Sequence, residues 1–179
     1  MMDDLTKKII IIEERPKKVK IVKTEKPKKK RVITASVNWE TAIKELEEAD
    51  VDEILNHPDD NNTCKIILQQ VKKKIAGYIV QDRKKNRVDK ELFVNVQDVI
   101  NLFKTSEMNC YYCKEKAEIM YEYVREPKQW TLERLDNSLG HNRDNVVIAC
   151  LSCNLRRRTM AKERYLQTKA MSNIVKLDA

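Results

Sequence analysis

Two Cys-x-x-Cys pairs place the strongest constraint on how this chain can fold. Cys110 and Cys113 form the first pair, Cys150 and Cys153 form the second, and 36 residues lie between them. One tight turn can direct both thiolates of such a pair at one ion, and four sulfur ligands favour zinc in tetrahedral geometry. Because four protein ligands leave no open coordination position, the pattern predicts a structural zinc ion. The alternative interpretation is a set of redox-active or buried thiols.

The cysteine usage also indicates a reducing compartment. In such a compartment, paired thiols bind metal ions rather than form disulfides. The chain has no run of roughly 18 apolar residues and no secretory signal at its N-terminus, so we expect an intracellular protein without membrane association. Cys64, the fifth cysteine, lies on the apolar face of a predicted helix and is assigned to the core.

Positive charge is concentrated at the N-terminus. Residues 1–36 hold twelve Lys and Arg against five Asp and Glu, which accounts for +7 of the formal net charge of +8. A basic arm attracts nucleic acid because neutralised phosphates release condensed counterions. The alternatives are a solubilising tail and, for the PKKKR stretch at 27–31, a nuclear-localisation signal. Since no hydrophobic period is sustained, the arm is predicted to be disordered.

Residues 37–105 are predicted to be helical. The clearest hydrophobic period runs from Cys64 to Ile79 and places apolar side chains on one face of an amphipathic helix. Another helix is predicted to follow Asn95, which we assign as an N-cap. Four basic residues on the other face of the long helix are predicted to face solvent or to contact phosphate, namely Lys72, Lys73, Lys74 and Arg83.

The pattern changes in residues 106–179, which predict a small α+β module. Residues 116–125 and 130–135 alternate in the manner of strands, and NVVIA at 145–149 is a short buried-strand candidate. A helix is expected from about Leu151 to Gln167. The fold class is therefore predicted to be α+β, with a zinc-binding module after a helical region.

The stretch between the thiol pairs resembles an HNH endonuclease of the zinc-containing ββα-metal superfamily, found in phages, large DNA viruses and mobile elements. WTLERL, DNSLGHNRD, NVVIA and CLSCNLRRR follow the family's order of strand, loop, strand and helix. The resemblance covers roughly residues 106–160. It implies a ββα-metal (HNH) domain over 106–179, after a basic arm at 1–36 and a helical region at 37–105. The nucleus or a viral replication site becomes an expected location.

The resemblance implies a role for each motif position. Asn145 matches the middle Asn, which in the family braces the loop through hydrogen bonds to the backbone. Glu133 and Asn154 match the acidic first position and the last position, and would hold a divalent ion distinct from zinc. Because these are hard oxygen ligands, the expected catalytic ion is Mg²⁺ or Mn²⁺.

The first motif position departs from the family pattern at Arg134. The family has a histidine there as general base, and a guanidinium cannot accept that proton. Arg134 is instead expected to clamp the scissile phosphate or to form a salt bridge with an acid. His141 and Asp136 are the other candidate bases. Their alternative roles are a loop histidine that contacts backbone or DNA, and a turn aspartate.

Three functional hypotheses follow from these residues. The first is an HNH endonuclease that hydrolyses DNA phosphodiester bonds, with Arg156, Arg157 and Arg158 contacting the nucleic acid. The second is a catalytically inactive, zinc-containing DNA-binding protein on the same scaffold, which Arg134 favours. The third is a zinc-stapled protein–protein module, which the nearly neutral charge after residue 36 favours. The oligomeric state is left open.

Overall fold

The computed structural model describes residues 27–49, 51–56 and 61–172, which form a mixed α+β structure. This agrees with the α+β class predicted from the sequence. None of the helices in these ranges has the length and apolar character that a membrane span requires. After a 3₁₀ turn at Val32–Ala35, the elements in chain order are α1 (Val37–Glu48), α2 (Val51–Asn56), α3 (Asn62–Lys84), α4 (Val96–Ser106), β1 (Trp130–Arg134), β2 (Val146–Cys150), α5 (Leu151–Arg157) and α6 (Lys162–Ser172).

Helices α3 and α4 begin at asparagine caps. The side chain of Asn61 accepts hydrogen bonds from the backbone N–H groups of Thr63, at 2.7 Å, and Cys64, at 3.2 Å. Asn95 and Asp98 cap α4 reciprocally, each side chain accepting from the other's backbone N–H. The predicted N-cap at Asn95 and the predicted burial of Cys64 are both observed.

Residues 27–36 pack against the body of the protein, although residues 1–36 were predicted to form a mostly disordered arm. The backbone N–H of Arg31 donates to the carbonyl oxygen of Glu122 at 2.9 Å, and Val32–Ala35 form the 3₁₀ turn that leads into α1. The composition of the arm predicted disorder because it does not show these partners, which lie far along the chain. Residues 1–26 lie outside the described part.

The strand predicted at 116–125 does not form, and these residues take part only in isolated β-bridges. Ala117, Ile119 and Tyr121 are nonetheless buried, none of them more than 9% exposed. The alternation in the sequence therefore reflects burial against the core. It does not reflect a ladder of hydrogen bonds, because none of the described residues forms a continuous partner strand beside the segment.

The single helix predicted from Leu151 to Gln167 is two helices in the structure. α5 ends at Arg157, and Arg158 adopts φ 53° and ψ −116°. A residue with positive φ cannot continue a right-handed helix, so the chain leaves the helical path there. It becomes helical again at Lys162.

The two strands form an antiparallel hairpin in which Trp130 lies opposite Cys150. Because side chains alternate along a strand, Trp130 and Leu132 point to one face of the sheet, and Thr131 and Glu133 point to the other. The first pair belongs to the hydrophobic core with the helices that precede the sheet. The second pair faces α5.

Both edges of this small sheet are occupied by other parts of the chain. The hydroxyl of Tyr78 in α3 accepts a hydrogen bond from the backbone N–H of Leu132 at 3.0 Å, and Lys74, one turn earlier, donates to the carbonyl oxygen of Trp130. On the other side, β2 receives a hydrogen bond from the N–H of Tyr111 at 2.8 Å. α3 therefore lies along the outer edge of β1.

One hydrophobic core joins the helices to the sheet. Trp39 of α1, Ile67 of α3, Phe103 of α4 and Trp130 of β1 belong to one cluster, and each is 1% exposed or less. The rings of Phe103 and Trp130 meet edge to face, with centroids 4.9 Å apart. The residues on either side of the predicted domain boundary at 106 therefore share this core.

Candidate functional site

The four paired cysteines meet at one point. The Sγ atoms of Cys110, Cys113, Cys150 and Cys153 all lie within 4.8 Å of one another. A tetrahedral zinc ion with Zn–S distances of about 2.3 Å holds its sulfurs about 3.8 Å apart, and Sγ of Cys113 lies 3.9 Å from Sγ of Cys150. The cluster could therefore hold a metal ion such as zinc. Within the described ranges it is the one group of three or more Cys, His, Asp or Glu side chains with this property.

Local backbone structure presents the two thiol pairs to each other. Cys110 and Cys113 lie in a turn closed by the N–H of Lys114, which adopts φ 61° and donates to the carbonyl oxygen of Cys110 at 2.9 Å. Cys150 ends β2 and caps α5, because its Sγ accepts a hydrogen bond from the N–H of Cys153 at 3.4 Å. The hairpin and the following helix thus bring the second pair to the first.

The sulfurs influence one another's ionisation. A hydrogen bond from the thiol of Cys150 lowers the pKa of Cys110 to about 4 and raises the pKa of Cys150 itself. Burial raises the pKa of Cys153 to about 11. Without a cation, therefore, the cluster cannot hold four thiolates at neutral pH. A divalent ion supplies the missing positive charge, and its binding releases protons.

A small second core surrounds the cysteines. It consists of the buried residues Cys110, Tyr112, Ala149, Cys150, Cys153 and Tyr165. Tyr112 and Tyr165 pack edge to face, with ring centroids 4.9 Å apart, and so connect α6 to the cluster. This core contains no buried Leu, Ile, Val or Phe, so little apolar area stabilises it in the absence of a metal ion.

Glu133 and Asn154 lie at the interface between β1 and α5, and each contacts a different partner. Oε1 of Glu133 accepts a hydrogen bond from Nη1 of Arg157. Nδ2 of Asn154 donates to Oγ1 of Thr131 at 3.1 Å. Thr131 and Glu133 share one face of the strand, while Asn154 and Arg157 are one turn apart on the helix. The two predicted ion ligands thus reach the same interface.

One oxygen of each predicted ligand makes no hydrogen bond within the described part of the chain. For Glu133 this is Oε2, because Arg157 occupies Oε1. The hydroxyl of Thr131 donates its proton to the carbonyl oxygen of Ala149 at 2.8 Å, so its oxygen accepts from the amide of Asn154. This fixes the orientation of that amide and leaves Oδ1 free. Carboxylate and amide oxygens are donors suited to a hard divalent ion, although Arg157 competes for Glu133.

Arg157 is buried, which contradicts its predicted role in nucleic-acid contact. Its side chain is 1% exposed and also donates to the carbonyl oxygens of Arg134 and Leu135, each at 2.7 Å. A carboxylate and two carbonyl oxygens pair with its Nη atoms and offset much of the cost of burial, while its buried Nε has no hydrogen-bond partner in the described residues. Burial raises the pKa of Glu133, and the hydrogen bond from Arg157 opposes that rise. Arg156 and Arg158 are exposed, as a nucleic-acid contact requires.

Arg134 holds the loop that follows β1. Its Nη1 donates to the carbonyl oxygens of Leu139, at 2.9 Å, and Asn137, at 3.3 Å. Within the described ranges no carboxylate lies within 4.0 Å of it, so the salt bridge considered from sequence does not form there. By strand alternation it also points away from the face that carries Glu133.

Asn145 joins the two ends of the same loop. Its Oδ1 accepts from the N–H of Asp136 at 2.9 Å, and its Nδ2 donates to the carbonyl oxygens of Asp136, at 3.0 Å, and Gly140, at 2.9 Å. The carboxylate of Asp136 accepts two hydrogen bonds from Ser138, which lower its pKa. Asp136 is therefore a turn residue in this structure, which was the alternative to a general base.

His141 is buried and is held by a residue that the sequence did not single out. Its Nδ1 lies 2.9 Å from Oδ2 of Asp82 in α3, and its backbone N–H donates to the same oxygen at 2.7 Å. The ring stacks on Tyr78, with centroids 4.3 Å apart. Burial lowers the pKa of His141, although the hydrogen bond and charge of Asp82 oppose this shift. The structure shows no contact between His141 and Glu133.

No family model, curated protein or solved structure matches this chain. Its function therefore has to be inferred from the residues themselves. Two observations carry the inference, namely the cysteine cluster and the polar interface between β1 and α5.

Proposed function

We propose that the protein binds DNA and hydrolyses its phosphodiester bonds with a divalent ion, in the manner of the HNH endonucleases that it resembles. One observation carries this proposal. The free oxygens of Glu133 and Asn154 belong to facing elements, β1 and α5, and Asn154 directly follows Cys153 of the metal cluster. A zinc ion at the cysteines would fix the start of α5 and thereby the position of Asn154.

The residues around this interface have separate tasks under the proposal. Glu133 and Asn154 would hold Mg²⁺ or Mn²⁺, which stabilises negative charge on a phosphate and on a leaving oxygen. Thr131 fixes which end of the Asn154 amide faces the ion. Arg157 favours the ionised form of Glu133 despite its burial.

Basic side chains provide the positive charge that DNA binding requires. Residues 28–31 are four consecutive basic residues, and Arg156 and Arg158 are exposed beside Asn154. Such groups bind phosphates without sequence preference. The expected partner is therefore DNA.

A second candidate function is DNA binding without catalysis, and a specific observation favours it. Hydrolysis needs a group that accepts a proton from water, and Arg134, at the family's position for that group, cannot do so. His141 can accept a proton, but its side chain contacts Asp82 and Tyr78 of α3 and neither Glu133 nor Asn154. A scaffold with this arrangement would bind DNA and leave it intact.

A plasmid assay separates the two candidates. We expect the zinc-loaded full chain to nick supercoiled DNA with Mg²⁺ or Mn²⁺, and Asn154→Ala to reduce the rate by about 100-fold or more, since metal-ligand interactions contribute several kcal/mol. Asn38→Ala, at an exposed position on α1, is the matched control. Equal nicking by wild type and Asn154→Ala would contradict the proposed ion site. Salt-sensitive binding without cleavage would select the second candidate, and no binding at low salt would exclude both.

His141→Ala belongs in the same assay. If His141 is the proton acceptor, the variant binds DNA with unchanged affinity but loses nicking. Unchanged nicking would show that the residue only connects the loop to α3.

A further inference from the structure

A cavity of about 490 Å³ lies between Arg31, the loop at 121–129 and the first turns of α5. Its described lining contains two arginines and no acidic side chain. The lining residues are Arg31, Tyr121, Val124, Arg125, Gln129, Leu151 and Leu155. A cavity with this lining has an excess of positive charge and several hydrogen-bond donors.

Arg31 is held firmly at this cavity. Its guanidinium donates to the carbonyl oxygen of Tyr121 at 2.9 Å and to the side-chain oxygen of Gln70. It also lies over the ring of Tyr121, at 4.1 Å from the centroid, and over Trp39, at 5.5 Å. These contacts use neutral acceptors and aromatic faces, so they fix the guanidinium without neutralising its charge.

Lys74 adds a second fixed cation behind the lining. Its Nζ donates to the carbonyl oxygen of Trp130, lies 4.2 Å from the centroid of that ring, and lies 3.5 Å from Oε1 of Gln129. Burial and the charge of Arg31 together lower the pKa of Lys74 to about 7. The charge of Arg31 thus disfavours the protonated form of Lys74, which a bound anion would favour.

No counter-charge for this pair is present in the described ranges. None of the ion pairs in these ranges includes Arg31, Lys74 or Arg125. Cations that are partly removed from water are normally paired, because their desolvation is otherwise uncompensated. An anion that enters from the cavity would supply this missing counter-charge.

We propose that this cavity binds a phosphate group, with Arg31 and Arg125 as its direct contacts and Lys74 as a nearby charge. A guanidinium presents two parallel donors that match two phosphate oxygens. The side-chain amide of Gln129 lies at the same cavity and offers a further donor. The phosphate can belong to a nucleic-acid backbone or to a free phosphorylated compound.

The position of the cavity favours the nucleic-acid source. Leu151 and Leu155 bound it from α5, which is also the helix that carries Asn154. A nucleic-acid strand that placed one phosphate here would contact the helix that also carries Asn154. In that form the inference deepens the proposed DNA binding, but it depends neither on hydrolysis nor on an ion at Glu133.

Inorganic phosphate provides the first test. The side-chain titration of Lys74 is followed by NMR in zinc-loaded full chain containing ¹³C-labelled lysine, with phosphate or with chloride at equal ionic strength. We expect phosphate to raise the titration midpoint of Lys74 by at least about half a pH unit, because a bound anion favours the charged amine. Arg125→Gln should weaken this response several-fold. Arg164→Gln, at an exposed position on α6, is the matched control and should not.

Affinity for DNA provides the second test. We expect Arg125→Gln to weaken binding about tenfold relative to Arg164→Gln and to reduce the slope of log affinity against log salt by about one. If phosphate shifts Lys74 but the two variants bind DNA equally, the site is supported with a free phosphorylated compound as its ligand. If phosphate shifts Lys74 and no DNA binds, the site is supported and the proposed function fails. No shift in Lys74, together with equal DNA binding by both variants, overturns the site.

Discussion

Arg157 shows how one buried charge organises the polar interface. Its guanidinium satisfies three acceptors at once, namely Glu133 and the carbonyl oxygens of Arg134 and Leu135. These residues span the end of β1 and the first residue of the following loop. The arginine therefore fixes both the carboxylate and the exit of the strand, which a neutral side chain of equal size cannot do.

Removal of this charge should destabilise the protein strongly. We expect Arg157→Met to lower the free energy of unfolding by about 3–5 kcal/mol, because it leaves Glu133 buried without a partner. Glu133→Gln in the same chain should recover part of the loss. Urea unfolding, followed by the fluorescence of the buried Trp39 and Trp130, measures the effect. Arg156→Met is the exposed control, and an equal loss in both single variants would contradict the prediction.

Lys74 makes stability depend on pH. Its pKa falls from 10.5 to about 7 on folding. Between these two values the unfolded chain binds a proton that the folded chain lacks, so stability rises with pH across this window. Lys74→Met should flatten the rise when urea unfolding is compared at pH 7, 8 and 9. Parallel pH dependences for the variant and the wild type would show that Lys74 is not responsible.

Among the elements, α3 connects the most distant parts of the structure. It supplies Cys64 and Ile67 to the core, Lys74 and Tyr78 to the edge of β1, and Asp82 to the loop around His141. Different turns of α3 thus pack in the core, occupy the edge of β1 and hold the loop around His141. Its full length is needed for all three.

The end of α3 gives a test at this scale. We expect Asp82→Ala to cost about 3 kcal/mol, because it leaves a buried backbone N–H and an imidazole nitrogen of His141 without an acceptor. Asp82→Asn should cost less, since its amide oxygen can still accept from the backbone. Asp144→Ala, at an exposed position, is the control for urea unfolding. Equal stability of Asp82→Ala and this control would refute the assignment.

The elements that local pattern predicted well are those with a strong period and a recognisable end. The apolar face of α3, the cap of α4 at Asn95, and the strands around 130–134 and 146–150 are of this kind. At 116–125, alternation alone did not reveal that a partner strand was missing. The break after Arg157 was missed because nothing in RRR marks a positive φ at Arg158.

The polar contacts of the candidate site and of the cavity at Arg31 were harder to predict, for two physical reasons. The pairs Asp82 with His141 and Lys74 with Trp130 join residues 59 and 56 positions apart, and no local pattern encodes such contacts. Consecutive helical side chains point about 100° apart, so the three arginines that end CLSCNLRRR cannot share one environment. The sequence showed three equivalent basic residues, whereas the fold buries the middle one.

At the scale of the whole molecule, two hydrophobic cores of unequal size stabilise the described part of the chain. The larger contains Trp39, Ile67, Phe103 and Trp130, and the smaller contains cysteines, two tyrosines and one alanine. The four cysteines were predicted from sequence to bind one ion, and their sulfurs do cluster. We expect the smaller core to require that ion.

Removal of the metal ion tests whether only the smaller core depends on it. We expect one zinc ion per chain by elemental analysis, and chelation should abolish hydrogen-exchange protection in α5, α6 and residues 110–113. Protection in α3 should persist, because its apolar face packs in the larger core. Cys153→Ser should behave like the chelated protein, whereas Cys64→Ala should keep its zinc. Zinc-free protein with full protection throughout would refute the assignment.

The occupied edges of the hairpin limit how this protein can assemble. An unpaired strand edge is a template on which another chain can add a strand, which leads to aggregation. Here a phenol and an ammonium group from α3 close one side, and a backbone amide closes the other. Another protein chain therefore cannot extend this sheet by adding a strand at these two occupied positions.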